Sequence, residues 1–230
     1  MAKSAGLVPF TTIDFPNRLA AVIFFQGCPL RCPFCHNPNL QPHESVGEAM
    51  AFEEIMAFLS QRRKRLDGVV LSGGEPLMQS DIVSVAHTLK EMGFQVAVHT
   101  SGAYPDRLKE LLPLLDWVGF DMKAPWQKYP LLCGREGLTA SIEKSLDLLI
   151  ESGVDYEVRT TLDPRYLTID DVFEIADILQ NKNVQTYTLQ KYRTFDADKN
   201  PPSSVEINAF FENEALMRTL QNIFPHFACR

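Results

Sequence analysis

The sequence predicts an α/β protein built as a partial (β/α)6 TIM-like barrel. Three observations carry that prediction. Six apolar runs of strand length alternate with segments whose apolar residues recur at helical spacing. Such alternation favours a parallel sheet with right-handed crossovers. The thiol and polar motifs fall just after those runs, where parallel α/β folds place their chemistry. Eight units close a full barrel, so six describe an open or partial one, with a doubly wound sheet as the alternative arrangement.

Leu19 to Phe25 is the first strand-length run, and Phe52, Ile55, Met56 and Leu59 then trace one helical face. Gly68-Val69-Val70-Leu71 is the second strand, ending at Ser72-Gly73-Gly74. Ser80 is placed to cap a helix with Ile82, Val85, Ala86 and Leu89 on its core face. Phe94 to Val98 is the third strand, Leu108 to Leu112 part of a helix, and Trp117 to Phe120 the fourth strand. Ile142, Leu146 and Leu149 share a helical face ahead of the fifth strand, Tyr156 to Leu162. Thr168 and Asp171 form a capping-box pattern before Val172, Ile175, Ala176 and Leu179. Val184 to Leu189 is the sixth strand, and Ser204 is placed to cap a last helix, over about 204–222, bearing Ile207, Phe210, Phe211, Met217 and Leu220. The 230 residues fit one domain, 1–230.

The formal charge of −7 argues against nucleic acid as a partner. No apolar run approaches the length of a membrane span, and Met1-Ala2-Lys3-Ser4 lacks the apolar core of a leader. The cytoplasm is the expected compartment, and its reducing conditions suit free thiolates. The basic run Arg62-Arg63-Lys64-Arg65 reads as a solvated helix end, with docking of an acidic partner as the alternative.

Cys28, Cys32 and Cys35 stand in a C-x3-C-x2-C spacing. Iron–sulfur clusters are held by thiolates, normally four for a four-iron core, so three local thiolates leave one iron open. An open coordination position marks a catalytic metal site. Zinc with His36 or a distant fourth ligand is the competing reading, although no second C-x2-C unit is present. A chance grouping of cysteines is the blandest one. Cys133 and Cys229 are isolated in sequence and read as structural.

Other polar groups follow the remaining strands. Gly73-Gly74-Glu75-Pro76 allows close backbone approach and offers carbonyls and a carboxylate to an ammonium group. Thr100 follows the third strand, Asp121 and Lys123 the fourth, Arg159 lies in the fifth and Gln190 ends the sixth. Arg159 suits a carboxylate, because its fork is bidentate. For Asp121 the plain alternative is an ion pair with Lys123. His99 reads as a polar lining residue rather than a ligand, and His36 as packing under the cysteine loop. Together these groups suit a ligand that carries both an amine and a carboxylate.

The cysteine loop followed by Gly-Gly-Glu-Pro resembles the radical S-adenosylmethionine superfamily. Thr12-Ile13-Asp14-Phe15-Pro16 and Phe24 through Asn37 are similar to the activating enzymes of glycyl-radical enzymes. Asp121-Met122-Lys123-Ala124-Pro125, Tyr156 to Thr161 and Leu189-Gln190-Lys191-Tyr192 look closest to the activators of anaerobic ribonucleoside-triphosphate reductase.

The resemblance implies a radical SAM barrel and two cofactors, a [4Fe–4S] cluster and S-adenosylmethionine. Cys28, Cys32 and Cys35 would ligate three irons, and the methionyl amine and carboxylate would chelate the fourth. Reductive cleavage would give methionine and a 5′-deoxyadenosyl radical, which takes hydrogen from a glycine of the partner enzyme. Gly73, Gly74 and Glu75 would hold the methionyl amine; Thr100, Asp121, Lys123 and Arg159 would line the same end; Phe34 would lie near the adenine. A reduced flavodoxin or ferredoxin would supply the electron.

The alternatives are another glycyl-radical enzyme such as pyruvate formate-lyase, a small-molecule substrate, or a metal-binding module without catalysis. Asn17 stands where relatives often have glycine, and His99 stands where formate-lyase activators carry a cation-binding aspartate.

Overall fold

The computed structural model describes residues 3–44, 50–194 and 198–230. Met1 and Ala2, on which part of the leader reading rests, lie outside them. Eight strands form one sheet whose spatial order is the chain order: β1 (Ser4–Thr11), β2 (Ala20–Phe25), β3 (Gly68–Gly73), β4 (Gln95–Thr100), β5 (Trp117–Asp121), β6 (Asp155–Leu162), β7 (Thr186–Lys191) and β8 (His226–Cys229). β1 runs antiparallel to β2; every later pair is parallel. β1 and β8 are not neighbours, so the barrel stays open between them. Helices connect the parallel strands: α1 (Phe52–Ser60), α2 (Ile82–Glu91), α3 (Pro105–Leu111), α4 (Tyr129–Cys133), α5 (Thr139–Ser152), α6 (Ile169–Asn181), α7 (Ser204–Glu212) and α8 (Glu214–Ile223).

The six predicted parallel strands are all present, and two more flank them. β1 carries Gly6 and Pro9 and has no apolar alternation, so no strand signal precedes its pairing with β2. β8 is a mostly exposed four-residue strand held by the register of β7. Two cap assignments move by one residue. α2 starts after Asp81, with no side-chain cap, and Ser80 lies one position too early. Ser203, not Ser204, caps α7, because Ser203 is the extended residue and Glu206 stands three positions on to close a capping box. The predicted last helix is also two helices, since Asn213 breaks it and accepts from the Leu216 N–H at 2.9 Å to cap α8. The Thr168–Asp171 box forms as expected.

Strand alternation separates two interiors. Ala21, Ile23, Phe25, Val69, Leu71, Val96 and Val98 face the helices and join the main core. The opposite faces point into the barrel, where Phe15, Ala20, Val22, Val70, Ala97 and Trp117 form a small apolar plug. Further along the same inward rows come Ser72, His99, Asp121, Arg159 and Gln190. The barrel is thus closed by carbon at its N-terminal end and lined by polar groups at its C-terminal end. Asn17, beside the plug, has φ +57, a left-handed conformation that glycine and asparagine tolerate best. That conformation accounts for the glycine-to-asparagine departure noted above.

Candidate active site

The loop after β2 is fixed at both ends before any ligand arrives. Gly27 N–H donates to the Leu40 carbonyl at 2.9 Å and Cys28 N–H to that of Gln41 at 3.1 Å. The Gln26 side-chain amide donates to the carbonyls of Asn39 and Pro42 at 3.0 and 2.7 Å. Arg31 turns its guanidinium inward to the carbonyls of Cys28 and Leu30, at 2.6 and 2.8 Å. Aromatic neighbours hold the far side: Phe34 packs on Tyr166 with centroids 5.9 Å apart, and His36 on Tyr192 at 5.7 Å. His36 Nε2 also meets the Arg193 carbonyl at 3.1 Å, which fits a packing role.

Glycines bring the next turn against this loop. Gly73 has φ +121, and a Cβ there would lie 2.2 Å from the Phe25 nitrogen. Only glycine fits so close to a neighbouring backbone. Gly74 N–H then donates to the Phe25 carbonyl and Glu75 N–H to that of Gly27, both at 2.9 Å.

The structure gives Glu75 a different task from the one read in the sequence. Its carboxylate is turned away from the cavity and is fully engaged. Oε1 accepts from Leu77 N–H and the Thr100 hydroxyl at 3.1 and 2.7 Å. Oε2 accepts from Ser101 N–H and its hydroxyl at 2.8 and 2.5 Å. With four donors already in place, it has no acceptor position left for an incoming amine. Burial raises its pKa, and these hydrogen bonds oppose that rise. Glu75 is a strut between the β3 and β4 ends, and Thr100 is its partner.

A cavity of about 730 Å³ opens at this end of the barrel. Cys28, Cys32 and Cys35 line one wall; Asp121, Lys123 and Arg159 line the other. Gly73, Gly74, Thr100 and Phe34 also border it. A recess of about 840 Å³ at the opposite end, around Asn17, Arg18 and Asp116, contains none of the thiols. Among the described residues no three His, Cys, Asp or Glu side chains converge as ligands of a single ion would.

The charged wall is internally paired. Arg159 Nε donates to Asp121 Oδ1 at 2.9 Å, and its NH2 group approaches the same oxygen at 2.7 Å. Lys123 Nζ sits 3.5 Å from Asp121 Oδ2. Burial alone would raise Asp121; the guanidinium of Arg159 and then the ammonium of Lys123 outweigh it and hold the carboxyl at about 2. Burial alone would lower Lys123, but Asp121 and the nearby thiols keep it firmly protonated. Gly119 makes the arrangement possible, since a Cβ there would lie 2.8 Å from Arg159 Cζ. The expected Asp121–Lys123 pair is real, although Arg159 is the closer partner.

His99 projects into the same space, with Nε2 2.8 Å from the Asp14 carbonyl and its ring edge-on to Trp117. Burial first, and then Arg159, lower its pKa to about 3, so it is neutral. Burial and then the Glu75 charge push the Cys28 thiol up to about 12. Cys32 is instead lowered, chiefly by the neighbouring Cys133 thiol. The docking of α4 on the loop, where the Cys133 carbonyl accepts from Arg31 N–H at 2.8 Å, was invisible in the sequence, because the two lie far apart along the chain. Arg62 to Arg65 follow α1 and lead into the N-terminal end of β3, at the opposite end of the barrel from the thiols.

Residues 22–179 match the Radical SAM superfamily. A Methanocaldococcus jannaschii protein assigned by name as a glycyl-radical enzyme activating enzyme is 35% identical over 206 residues, 85% of this chain and 82% of that one. The pyruvate formate-lyase-activating enzyme of Clostridium pasteurianum is 29% identical over 205 residues, 86% of this chain and 82% of that one. The crystal structure of Streptococcus suis SuiB bound to S-adenosylmethionine superposes with a TM-score of 0.68 at 15% identity, covering 91% of this chain and 51% of that one. The chain spans about half of that solved structure, and the likeness there is one of fold. The chain belongs to the Radical SAM superfamily. Within it, the kinship is with the activating enzymes of glycyl-radical enzymes. The cofactors of such a protein are a [4Fe–4S] cluster and S-adenosylmethionine. Among the described residues no helix is long and apolar enough to cross a membrane.

Proposed function

We propose that this chain, working as one radical SAM domain over 1–230, is a cytoplasmic activase of anaerobic ribonucleoside-triphosphate reductase. Cys28, Cys32 and Cys35 ligate three irons of the cluster. When bound, the cluster and S-adenosylmethionine supply a one-electron reductive cleavage that yields a 5′-deoxyadenosyl radical, which creates a glycyl radical on the partner. The protein binds, orients and excludes water. Gly73 and Gly74 let backbone carbonyls approach the methionyl amine, while Glu75 holds that turn in place through Thr100 and Ser101. Lys123, 3.5 Å from Asp121, would offer its ammonium to the methionyl carboxylate. Asp121 and Arg159 hold the charge balance around it, and Phe34 borders the adenine. The electron comes from a reduced flavodoxin or ferredoxin.

The observation that carries this reading is the cavity itself, with three thiols facing an Asp121–Lys123–Arg159 wall. The choice of reductase rests on the Asp121 to Pro125, Tyr156 to Thr161 and Leu189 to Tyr192 segments. Pyruvate formate-lyase is the second reading, favoured by the Clostridium pasteurianum relative. The test is anaerobic reconstitution, reduction and mixing with each enzyme in turn. A glycyl radical signal on the reductase alone supports the first reading; a signal on the lyase alone replaces it with the second. Without S-adenosylmethionine cleavage by the cluster-loaded protein, both fail.

A further inference from the structure

We propose that Arg230 holds the partner's glycine-bearing segment in the cavity, its guanidinium donating a hydrogen bond to a peptide carbonyl of that segment. The inference rests on the activase reading above and adds a residue that meets the protein substrate. Arg230 follows β8, and its backbone continues the pairing with β7. Its N–H donates to the Leu189 carbonyl at 3.0 Å, and its carbonyl accepts from Lys191 N–H at 2.7 Å. Strand alternation puts His226, Ala228 and Arg230 in one row. His226 borders the recess at the N-terminal end and Arg230 borders the thiol cavity, so that row faces the barrel interior.

Two groups aim the guanidinium. Glu157, 8% exposed, lies two positions before Arg159 on β6. Its Oε1 accepts from Arg230 NH2 at 2.6 Å. Its Oε2 accepts from Arg230 NH1 at 3.4 Å and from the Thr188 hydroxyl at 2.8 Å. Gln190, with its amide oxygen turned toward Arg230, accepts from Nε and NH2 at 3.0 and 3.1 Å. These contacts use four of the five guanidinium N–H bonds and leave one on NH1. The side chain stays 41% exposed. It is therefore held from two sides with a donor to spare.

The fold explains why a donor is needed there. The barrel is open between β1 and β8, and that seam lies beside Arg230. A glycine that gives up hydrogen to a radical formed in the cavity must bring its flanking peptide groups out of water. Carbonyls buried without donors are costly. Arg159 is committed to Asp121 and Thr100 to Glu75, while Lys123 is assigned to the methionyl carboxylate. Arg230 stands on the seam side with an N–H to give.

The test measures activation of the glycyl-radical enzyme that the wild type activates, at varied partner concentration, together with the S-adenosylmethionine dissociation constant. Arg230→Met leaves Glu157 buried without its countercharge, so the double variant with Glu157→Gln is measured beside it. Thermal unfolding reports whether each is folded. Both should raise the KM for the partner about tenfold, the weight of one hydrogen bond from a charged donor. The kcat and the S-adenosylmethionine dissociation constant should hold. Calorimetry on oxidised, cluster-loaded protein should show the same tenfold loss of affinity for the partner without turnover. A wild-type KM in the folded double variant overturns this proposal alone. So does an S-adenosylmethionine dissociation constant that weakens as far as the KM rises, since Arg230 then serves the cofactor. A wild-type protein that raises no glycyl radical on reductase or lyase sinks the activase reading and this proposal together.

Discussion

The two halves of the barrel rim are built from different chemistry. On the β2–β4 side the groups are chiefly thiols, glycines and backbone with the neutral His99, and the Glu75 carboxylate is spent on holding strand ends together. On the β5–β7 side the groups are fixed charges, with Arg159 and Lys123 converging on Asp121. The first half offers soft ligands and close approach; the second offers a pre-formed field. A ligand with a charged head and a metal-binding end needs both. The contrast also shows how each half tolerates change. The thiol half depends on shape and identity at single positions, whereas the charged half shares its load among three side chains.

The largest effect expected from breaking this contrast is at Cys32. Cys32→Ala should reduce iron after reconstitution to background and abolish S-adenosylmethionine cleavage; a variant that keeps the full iron complement removes Cys32 from the ligand set. Gly73→Ala comes next, because its Cβ meets backbone that cannot move aside. The expected cost is about 3 kcal/mol or more, combining a left-handed alanine with a direct collision. Thermal unfolding measures it, and an unchanged midpoint contradicts the geometry.

On the charged side, Arg159→Ala should weaken S-adenosylmethionine binding to the loaded protein by about 1.5–3 kcal/mol, the worth of a charged hydrogen bond. Calorimetry reads it, and an unaltered dissociation constant places Arg159 outside the binding wall. The smallest effect lies away from the rim. Asp171 caps α6 and accepts from Lys128 Nζ at 2.7 Å. Burial opposes ionisation, but the Lys128 and Thr168 hydrogen bonds outweigh it and hold the folded pKa below the ordinary value. A depressed folded pKa stabilises above the unfolded value of about 3.9 and is lost as pH falls below it toward the folded value. Asp171→Asn should cost about 1 kcal/mol at neutral pH. The difference from wild type should shrink on acidification; a constant difference across that window refutes the pairing.

How much of this was legible depended on sequence distance. The cysteine loop and the glycine turn are local patterns, and their place after strands followed from periodicity alone. The six covered strands announced themselves because both faces are buried. β1 and β8 did not, since an edge strand with a proline and a short exposed strand leave no apolar run to read. The direction of Glu75 was also hidden: composition shows a carboxylate beside glycines, not which side of the turn it faces. The Asp121–Arg159 pair is set by the β5–β6 register, where the two residues are direct partners. The Arg31–Cys133 backbone hydrogen bond depends on how α4 docks, and nothing in either residue's neighbourhood encodes it.

Spatial order equals chain order across all eight strands. Each new strand can therefore dock on the one made just before it, without waiting for a distant segment to arrive. As a chain leaves the ribosome, the sheet can grow edge by edge in the direction of synthesis. The rim is finished late in that sequence: the thiols come with β2, but Arg159 arrives only with β6. A truncated or stalled chain would hold the three thiols without their opposing charges. Competence for the reaction is thereby tied to synthesis at least through β6.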